Sequence, residues 1–216
     1  KPILVEQWSE QFFYFMMKYE WNFVDLNDKA AALTTDQIDT ENAARFGIAY
    51  TDEKGEKRNP LILHLSPSGA IERVIYALLE KAVADAKAGK PPMLPVWLAP
   101  TQLRIVPVGE GQLASARALV PAFQGIRADV DDTGDTRGKK IRRAEKEWVP
   151  YIVVVGEKER ADRVVTPRVR VPELGPAEKA YSMQQLYELI IGQTKEFPQQ
   201  KLAVPMHVSK RPKFKG

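Results

Sequence analysis

Residues 59–80, NPLILHLSPSGAIERVIYALLE, constrain this chain more than any other stretch, because an apolar run, a histidine, a tight turn and an amphipathic segment follow one another without a gap. Leu61, Ile62, Leu63 and Leu65 read as a short buried strand that Pro67 and Gly69 stop. Ser68 or Gly69 is placed to cap a helix in which Ile71, Val74, Ile75, Leu78 and Leu79 recur at one-face helical spacing. A strand that delivers a polar residue to a helix start, with a glycine where the backbone must come close, is a common build for phosphate and nucleotide sites. From these residues alone Arg73 has two readings, a nucleotide ligand or a solvent-facing partner in an Arg-Glu pair. His64 also has two, a structural histidine or a metal ligand, and one imidazole does not make a zinc site by itself.

Residues 3–25 are rich in aromatic and branched side chains with partial alternation, which favours about two strands of an antiparallel sheet, with Trp8, Phe13, Phe15, Tyr19 and Trp21 mainly in the core. A turn at Asn27 leads into a further strand carrying Thr34, Thr35, Gln37 and Asp39. Gln37 and Asp39 are two apart and share a face, either to meet a ligand together or as an ordinary exposed surface. Residues 46–52 and 60–65 flank Glu53-Lys54-Gly55-Glu56, a hairpin signal that returns His64 to the same sheet. Gly89, Pro91, Pro92 and Pro95 then break the long helix and mark a domain boundary.

Beyond the break the periodicity changes to short strands alternating with helices. Strands are expected at 103–108, 126–130, 151–155 and near 164–171, and helices at 113–123, about 136–148 and 182–195. That order predicts an α/β domain with a mixed sheet. Pro-interrupted, basic residues 198–216 are expected to form an extended arm.

Charge is unevenly placed. Residues 1–90 carry a net −3 and residues 91–216 a net +7, so the second part is the better partner for a polyanion. Its densest run, Arg137 to Lys146, has six Lys/Arg against one Glu at a helix start, where backbone N–H groups add to the positive field; a solvated helix face is the alternative. With 44% hydrophobic residues the chain builds ordinary globular cores, and no apolar run reaches membrane-spanning length. There is no cysteine, so any metal site at His64 takes its other ligands from elsewhere. The chain begins at Lys1 without a methionine, as expected for part of a longer protein.

The run His64, then Ser-Pro-Ser-Gly-Ala-Ile-Glu-Arg and an apolar helix, resembles the third signature motif of class II aminoacyl-tRNA synthetases, in the form carried by threonyl-tRNA synthetases of the archaeal branch. Gly-Lys-Lys-Ile-Arg at 138–142, followed by Val-Pro-Tyr, four apolar residues and Gly-Glu-Lys-Glu, resembles the anticodon-binding domain shared by the threonyl, prolyl, histidyl and glycyl enzymes. The resemblance implies residues 1–92 as the C-terminal part of an α+β catalytic domain built on the class II antiparallel sheet. It further implies an α/β anticodon-binding domain at 93–197 and a basic tail at 198–216. It makes Arg73 the catalytic arginine that holds ATP, Gly69 a close backbone approach to the nucleotide, Gln37 and Asp39 members of the strand past the adenylate, and His64 one of three zinc ligands. It makes Arg142, Glu159 and Arg168 readers of anticodon bases, which offer their Watson–Crick edges to Arg and Glu.

The activity so implied is ATP-dependent activation of threonine and its transfer to the threonine tRNA, with Zn²⁺ and Mg²⁺, in a cytoplasmic homodimer that has no membrane or DNA partner. Two departures limit the carry-over. A substrate-contacting Gln of bacterial members is Ala32 here, and an anticodon-contacting Asn is Gly134. The alternatives are a non-activating, tRNA-binding or editing partner of a split threonyl system, and a prolyl or glycyl enzyme of the same subclass.

Overall fold

The computed structural model describes residues 3–162, 164–176 and 178–212. It divides into two compact units, residues 1–81 and 82–216.

In the first unit β1 (Phe15–Val24) and β2 (Ala30–Asp39) form an antiparallel hairpin. The turn between them is held by Asp25, whose Oδ1 accepts from the backbone N–H groups of Asn27 and Lys29. A short α1 (Asn42–Arg45) follows, then a two-residue ladder of β3 (Tyr50–Thr51) and β4 (Lys57–Arg58) around the expected turn. β5 (Ile62–Ser66) pairs antiparallel with β2, opposing His64 to Gln37, so the hairpin does return His64 to the main sheet, in the order β1-β2-β5. α2 (Ile71–Lys87) is tied back to the β1–β2 turn where the Tyr76 hydroxyl donates to Asp25 and Glu80 accepts from the backbone N–H of Leu26.

Several expectations for this unit are corrected. Residues 3–25 supply one strand, not two, since 3–14 carry no ladder. Trp8, Phe13, Tyr19 and Trp21 are exposed, and Phe15 is half-buried. Leu61, Leu63 and Leu65 are exposed as well, and so are Ile71, Val74, Ile75 and Leu79 of α2. The apolar alternation is there, but a three-stranded sheet with one helix has too few partners among the described residues to bury both faces.

The second unit keeps its expected order and adds a helix at 157–162 and a strand at 181–182 that were not expected. β6 (Leu103–Pro107), α3 (Leu113–Leu119), β7 (Ala128–Val130), α4 (Arg137–Lys146), β8 (Tyr151–Val155), α5 (Glu157–Asp162), β9 (Val164–Val165), β10 (Arg168–Val169), β11 (Tyr181–Ser182) and α6 (Met183–Gly192) succeed one another. Among the described residues one four-stranded mixed sheet runs β10-β8-β6-β7, with β6 parallel to both neighbours and β10 antiparallel to β8. The single strand expected near 164–171 is two short pieces in two sheets, because β9 pairs with β11 and β10 with β8. α6 starts at a capping box in which Ser182 and Gln185 exchange side-chain-to-backbone bonds.

Strand alternation gives the sheet two covered faces. Leu103, Ile105, Tyr151, Val153 and Val155 pack with Ala116, Phe123, Leu186 and Ile190 on one side, while Val106, Ile152, Val149 and Ala144 of α4 form a smaller core on the other. On the α4 side sits Arg104, fully buried, opposite Asp129 in the parallel β6–β7 register. Arg104 donates through Nε and Nη2 to Asp129 at 2.8 Å each, and Nη2 also reaches Glu147 at 2.6 Å. Thr101 and Arg211 donate to the same Asp129 carboxylate.

Arg211 belongs to residues 205–211, and here the tail expectation is corrected. Val130 and His207 form a parallel bridge, the Val130 N–H donates to the Met206 carbonyl, and Ser209 donates to Asp132 through both its N–H and Oγ. This part of the tail is an added edge on β7, not a free arm; residues 213–216 lie outside the described residues.

Removing one partner of a buried charge pair strands the other, at about 3–5 kcal/mol. Asp129→Ala is therefore expected to lower unfolding free energy in urea by about that amount, whereas Glu147→Gln, at a half-exposed carboxylate, changes it by less than about 1 kcal/mol.

Candidate functional site

β2 carries candidate groups at both ends. At its C-terminal end Asp39 is fully buried and accepts from the backbone N–H groups of Glu41 and Asn42, from Asn42 Nδ2, and from His64 Nε2 at 2.8 Å. Burial opposes ionisation of Asp39, but these donors outweigh it and hold the carboxyl well below the usual carboxylate range. Tyr14 closes the cluster: its hydroxyl donates to Gln37 Oε1 at 2.6 Å and its ring meets the His64 ring edge-on, 5.5 Å between centroids.

The structure thus brings Gln37, Asp39 and His64 together, as their shared strand face implies, and adds Tyr14. Asp39 bonds His64 and the 41–42 turn and is shielded from solvent. A carboxylate on one ring nitrogen fixes the tautomer and leaves Nδ1 for a ligand. Among the described residues no group of three His, Cys, Asp or Glu side chains is placed to hold a metal.

At the other end of β2 lie Gly69 and Arg73. Gly69 is in the left-handed region at φ 59°, and a Cβ there would lie 1.8 Å from the Leu33 carbonyl oxygen. Gly69 therefore lies directly against the backbone of β2. Arg73 reaches over from α2, and its Nη1 donates to the Ala32 carbonyl at 3.1 Å. From Ala32 to Gln37 the strand advances roughly 17 Å at about 3.3 Å per residue, which separates the arginine end from the histidine end.

The basic run folds as α4, and packing sorts its cations. Arg143 is turned inward: it donates to both oxygens of buried Asp131, to Thr133 and to Asp135, and so clamps the loop that leads into the helix. Asp135 is held below the usual carboxylate range by the Arg143 hydrogen bond. Arg142 points the other way, exposed, with no side-chain partner among the described residues. Gly134 is exposed in the clamped loop, and a Cβ there meets nothing within 4 Å.

Arg168, on β10, lies 3.4 Å from Glu145 of α4, one turn beyond Arg142 on the same helix. Glu159 of α5 uses Oε2 to accept from the Gly156 N–H at 2.9 Å, and among the described residues no hydrogen bond or ion pair joins it to Arg142 or Arg168. So Arg168 is paired with Glu145, Arg142 stands unpaired one turn earlier on α4, and Glu159 is bonded to neither arginine at a helix start. Glu145 went unpredicted; its one signal was being the sole acid in a run of cations.

The family described as an anticodon binding domain matches residues 102–192. Threonine–tRNA ligase of Thermococcus kodakarensis is 51% identical over 218 residues, that of Pyrococcus horikoshii 53% over 220, and that of Methanothrix thermoacetophila 50% over 215. These alignments take in 99–100% of this chain and 34% of each relative, so the chain spans about a third of their length. Among solved structures, the RNA binding domain of threonyl-tRNA synthetase from Cryptosporidium parvum is similar at TM-score 0.62 and 26% identity, covering 82% of this chain and 43% of that one. Prolyl-tRNA synthetase from the same organism, with L-proline and AMP, shares the fold at TM-score 0.66 and 23% identity, over 87% of this chain and 39% of that one.

Gly69→Ala places a Cβ against the backbone of β2 and in a φ region that costs a side chain about 1–2 kcal/mol before any clash. It is expected to destabilise the first unit by more than that figure in denaturant titration, while Gly111→Ala, where nothing lies within 4 Å, is near neutral.

Proposed function

We propose that this chain, which aligns over its whole length with about a third of the length of threonine–tRNA ligases, serves a threonyl-tRNA synthetase as its C-terminal part, completing the adenylation site and docking the anticodon of the threonine tRNA. The observation that carries the reading is a division of labour between the two units: one holds an arginine of α2 and a histidine of β5 against a single strand, β2, and the other exposes Arg142 on a clamped helix and Arg168 on the neighbouring strand β10.

In the first unit Arg73 would lie along the nucleotide phosphates, where its guanidinium stabilises charge that develops as the threonine carboxylate displaces pyrophosphate. Its reach to the Ala32 carbonyl supports this, because the same stretch of β2 backbone would flank the nucleotide. Gln37 would face the adenylate from the histidine end of that strand, and Gly69 keeps the turn before α2 close enough to β2 for Arg73 to cross it.

His64 would supply one ligand to a zinc ion whose other ligands come from outside this chain. Zinc, when bound, would act as a template for the amino and hydroxyl groups of threonine. Asp39 would hold the imidazole with Nδ1 presented, and Tyr14 would limit its rotation. Mg²⁺ would accompany ATP. The assembled enzyme would work in the cytoplasm as a homodimer.

In the second unit Arg142 and Arg168 would read unpaired anticodon bases, with Glu159 contributing through the carboxylate oxygen that Gly156 leaves open. Gly134 offers no side chain, and the space above it is open to a base.

Two substitutions in the full-length protein separate the halves of this reading. Arg73→Ala is expected to lower threonine-dependent ATP–pyrophosphate exchange by about 10²–10³, the range for loss of one charge-stabilising donor, while tRNA affinity stays within about twofold. Arg142→Ala should do the reverse, leaving exchange intact and weakening tRNA binding; loss of both activities in either variant counts against the assignment.

A further inference from the structure

Residues 205–211 touch the chain on both sides of α4. Before the helix, Ser209 donates to Asp132, from its N–H to Oδ1 at 2.9 Å and from Oγ to Oδ2 at 2.8 Å. After it, Arg211 Nη1 lies 3.8 Å from Glu147, the C-cap residue of α4, while Nη2 donates to Asp129 of β7 at 2.6 Å. Val208 between them is buried, and the Arg211 Nε bond to the Pro205 carbonyl at 3.0 Å closes the segment on itself.

Asp132 depends on this contact more than Asp129 does. Without the tail, Asp129 keeps Thr101 and the two Arg104 bonds. The Asp132 side chain is 7% exposed, and its one partner outside the tail among the described residues is half-exposed Arg117, 3.8 Å away. Burial opposes ionisation of Asp132. The two Ser209 bonds, with His207 at 3.6 Å, outweigh it and hold the carboxyl below the usual carboxylate range. A tail lifted off β7 therefore leaves a buried charge with a weak, solvent-screened pair.

α4 needs such support. Only Lys140 and Ala144 of its ten residues are buried, so apolar packing holds it lightly, and a helix of this length is marginal by itself. Arg143 ties the preceding loop to α4, but both belong to the same stretch of chain. The tail is the segment that bonds Asp132 before the helix and pairs with Glu147 after it. Its own arginine is not left over for a phosphate: the Arg211 side chain is 15% exposed, and Nε and Nη2 are already bonded.

We propose that residues 205–211 are a strap that pre-orders α4 for RNA, with Asp132 and Ser209 as positioning residues that act through the helix and not on the RNA. The proposal rests on the reading of this unit as RNA-binding. The affinity of the whole unit is then its intrinsic affinity multiplied by the fraction of molecules in which the strap is closed.

Two readouts in the full-length protein test it. Hydrogen exchange without RNA is followed at amides 137–147 and 205–211 in the parent and in D132N, a near-isosteric change that removes the charge to which Ser209 donates. Both segments are expected to exchange about tenfold faster in D132N. Acceleration confined to 205–211 overturns the strap. In the second readout a transcript of the threonine tRNA is titrated by fluorescence anisotropy against the parent, D132N, S209A and S209T. D132N and S209A are expected to bind about tenfold more weakly, and S209T, which keeps the hydroxyl, within about twofold of the parent. The sign separates positioning from charge, because removing a carboxylate by itself strengthens attraction to a polyanion. D132N binding as tightly as the parent, or more tightly, overturns the strap, and so does a lowered unfolding temperature with affinity unchanged. Failure of the parent to bind the transcript overturns the RNA reading, and the positioning role with it.

Discussion

The ion pair between Arg104 and Asp129 sets the terms for the second unit. Both side chains are fully buried, on neighbouring parallel strands, and neither charge has water to fall back on. Burial pushes the Arg104 guanidinium toward losing its proton, and Asp129 and Glu147 more than reverse that, raising it above its ordinary value. Asp129 in turn collects Thr101 and Arg211 as further donors, so five residues from four segments of chain converge in this cluster. An apolar pair could fill the volume, but it would not dictate the register of β6 against β7 or the docking of the tail on β7. Those two features decide where the 131–136 loop and α4 begin.

From that anchor the arginines divide by role. Arg104, Arg127, Arg143, Arg170 and Arg211 donate to buried carboxylates or to backbone carbonyls and hold loops, strands and tail in place. Arg142 and Arg168 face outward. A basic surface built this way is stiff where it meets a ligand, because the inward arginines hold the backbone that carries the outward ones. Arg142 and Arg143, adjacent in sequence, fall on opposite sides of this division since successive helical residues are 100° apart.

The first unit depends on a smaller version of the same device. Buried Asp39, satisfied by four donors, orients His64 on the neighbouring strand, and the glycine at position 69 lets the turn before α2 close against β2. Much of the apolar surface of this unit is exposed, although its sequence alternates as a core strand should. Alternation reports which residues share a face; it does not report what, if anything, covers that face.

The longer elements of the second unit and their order were legible in the chain from hydrophobic period and turn chemistry, short ones such as α1, α5 and β11 were not, and β8 was placed to the residue because Pro150 and Gly156 bound an unbroken apolar run. The grouping of Gln37, Asp39 and His64 was also legible, since a strand of period two and a hairpin leave few registers open. The tertiary structure alone decided the rest: Tyr14 over His64, Glu145 against Arg168, Arg143 on Asp131, and the tail on β7. These pairings join residues 12 to 82 positions apart, or depend on which of two adjacent arginines turns inward. Local pattern carries no information at that range; packing and the need to satisfy each buried charge do.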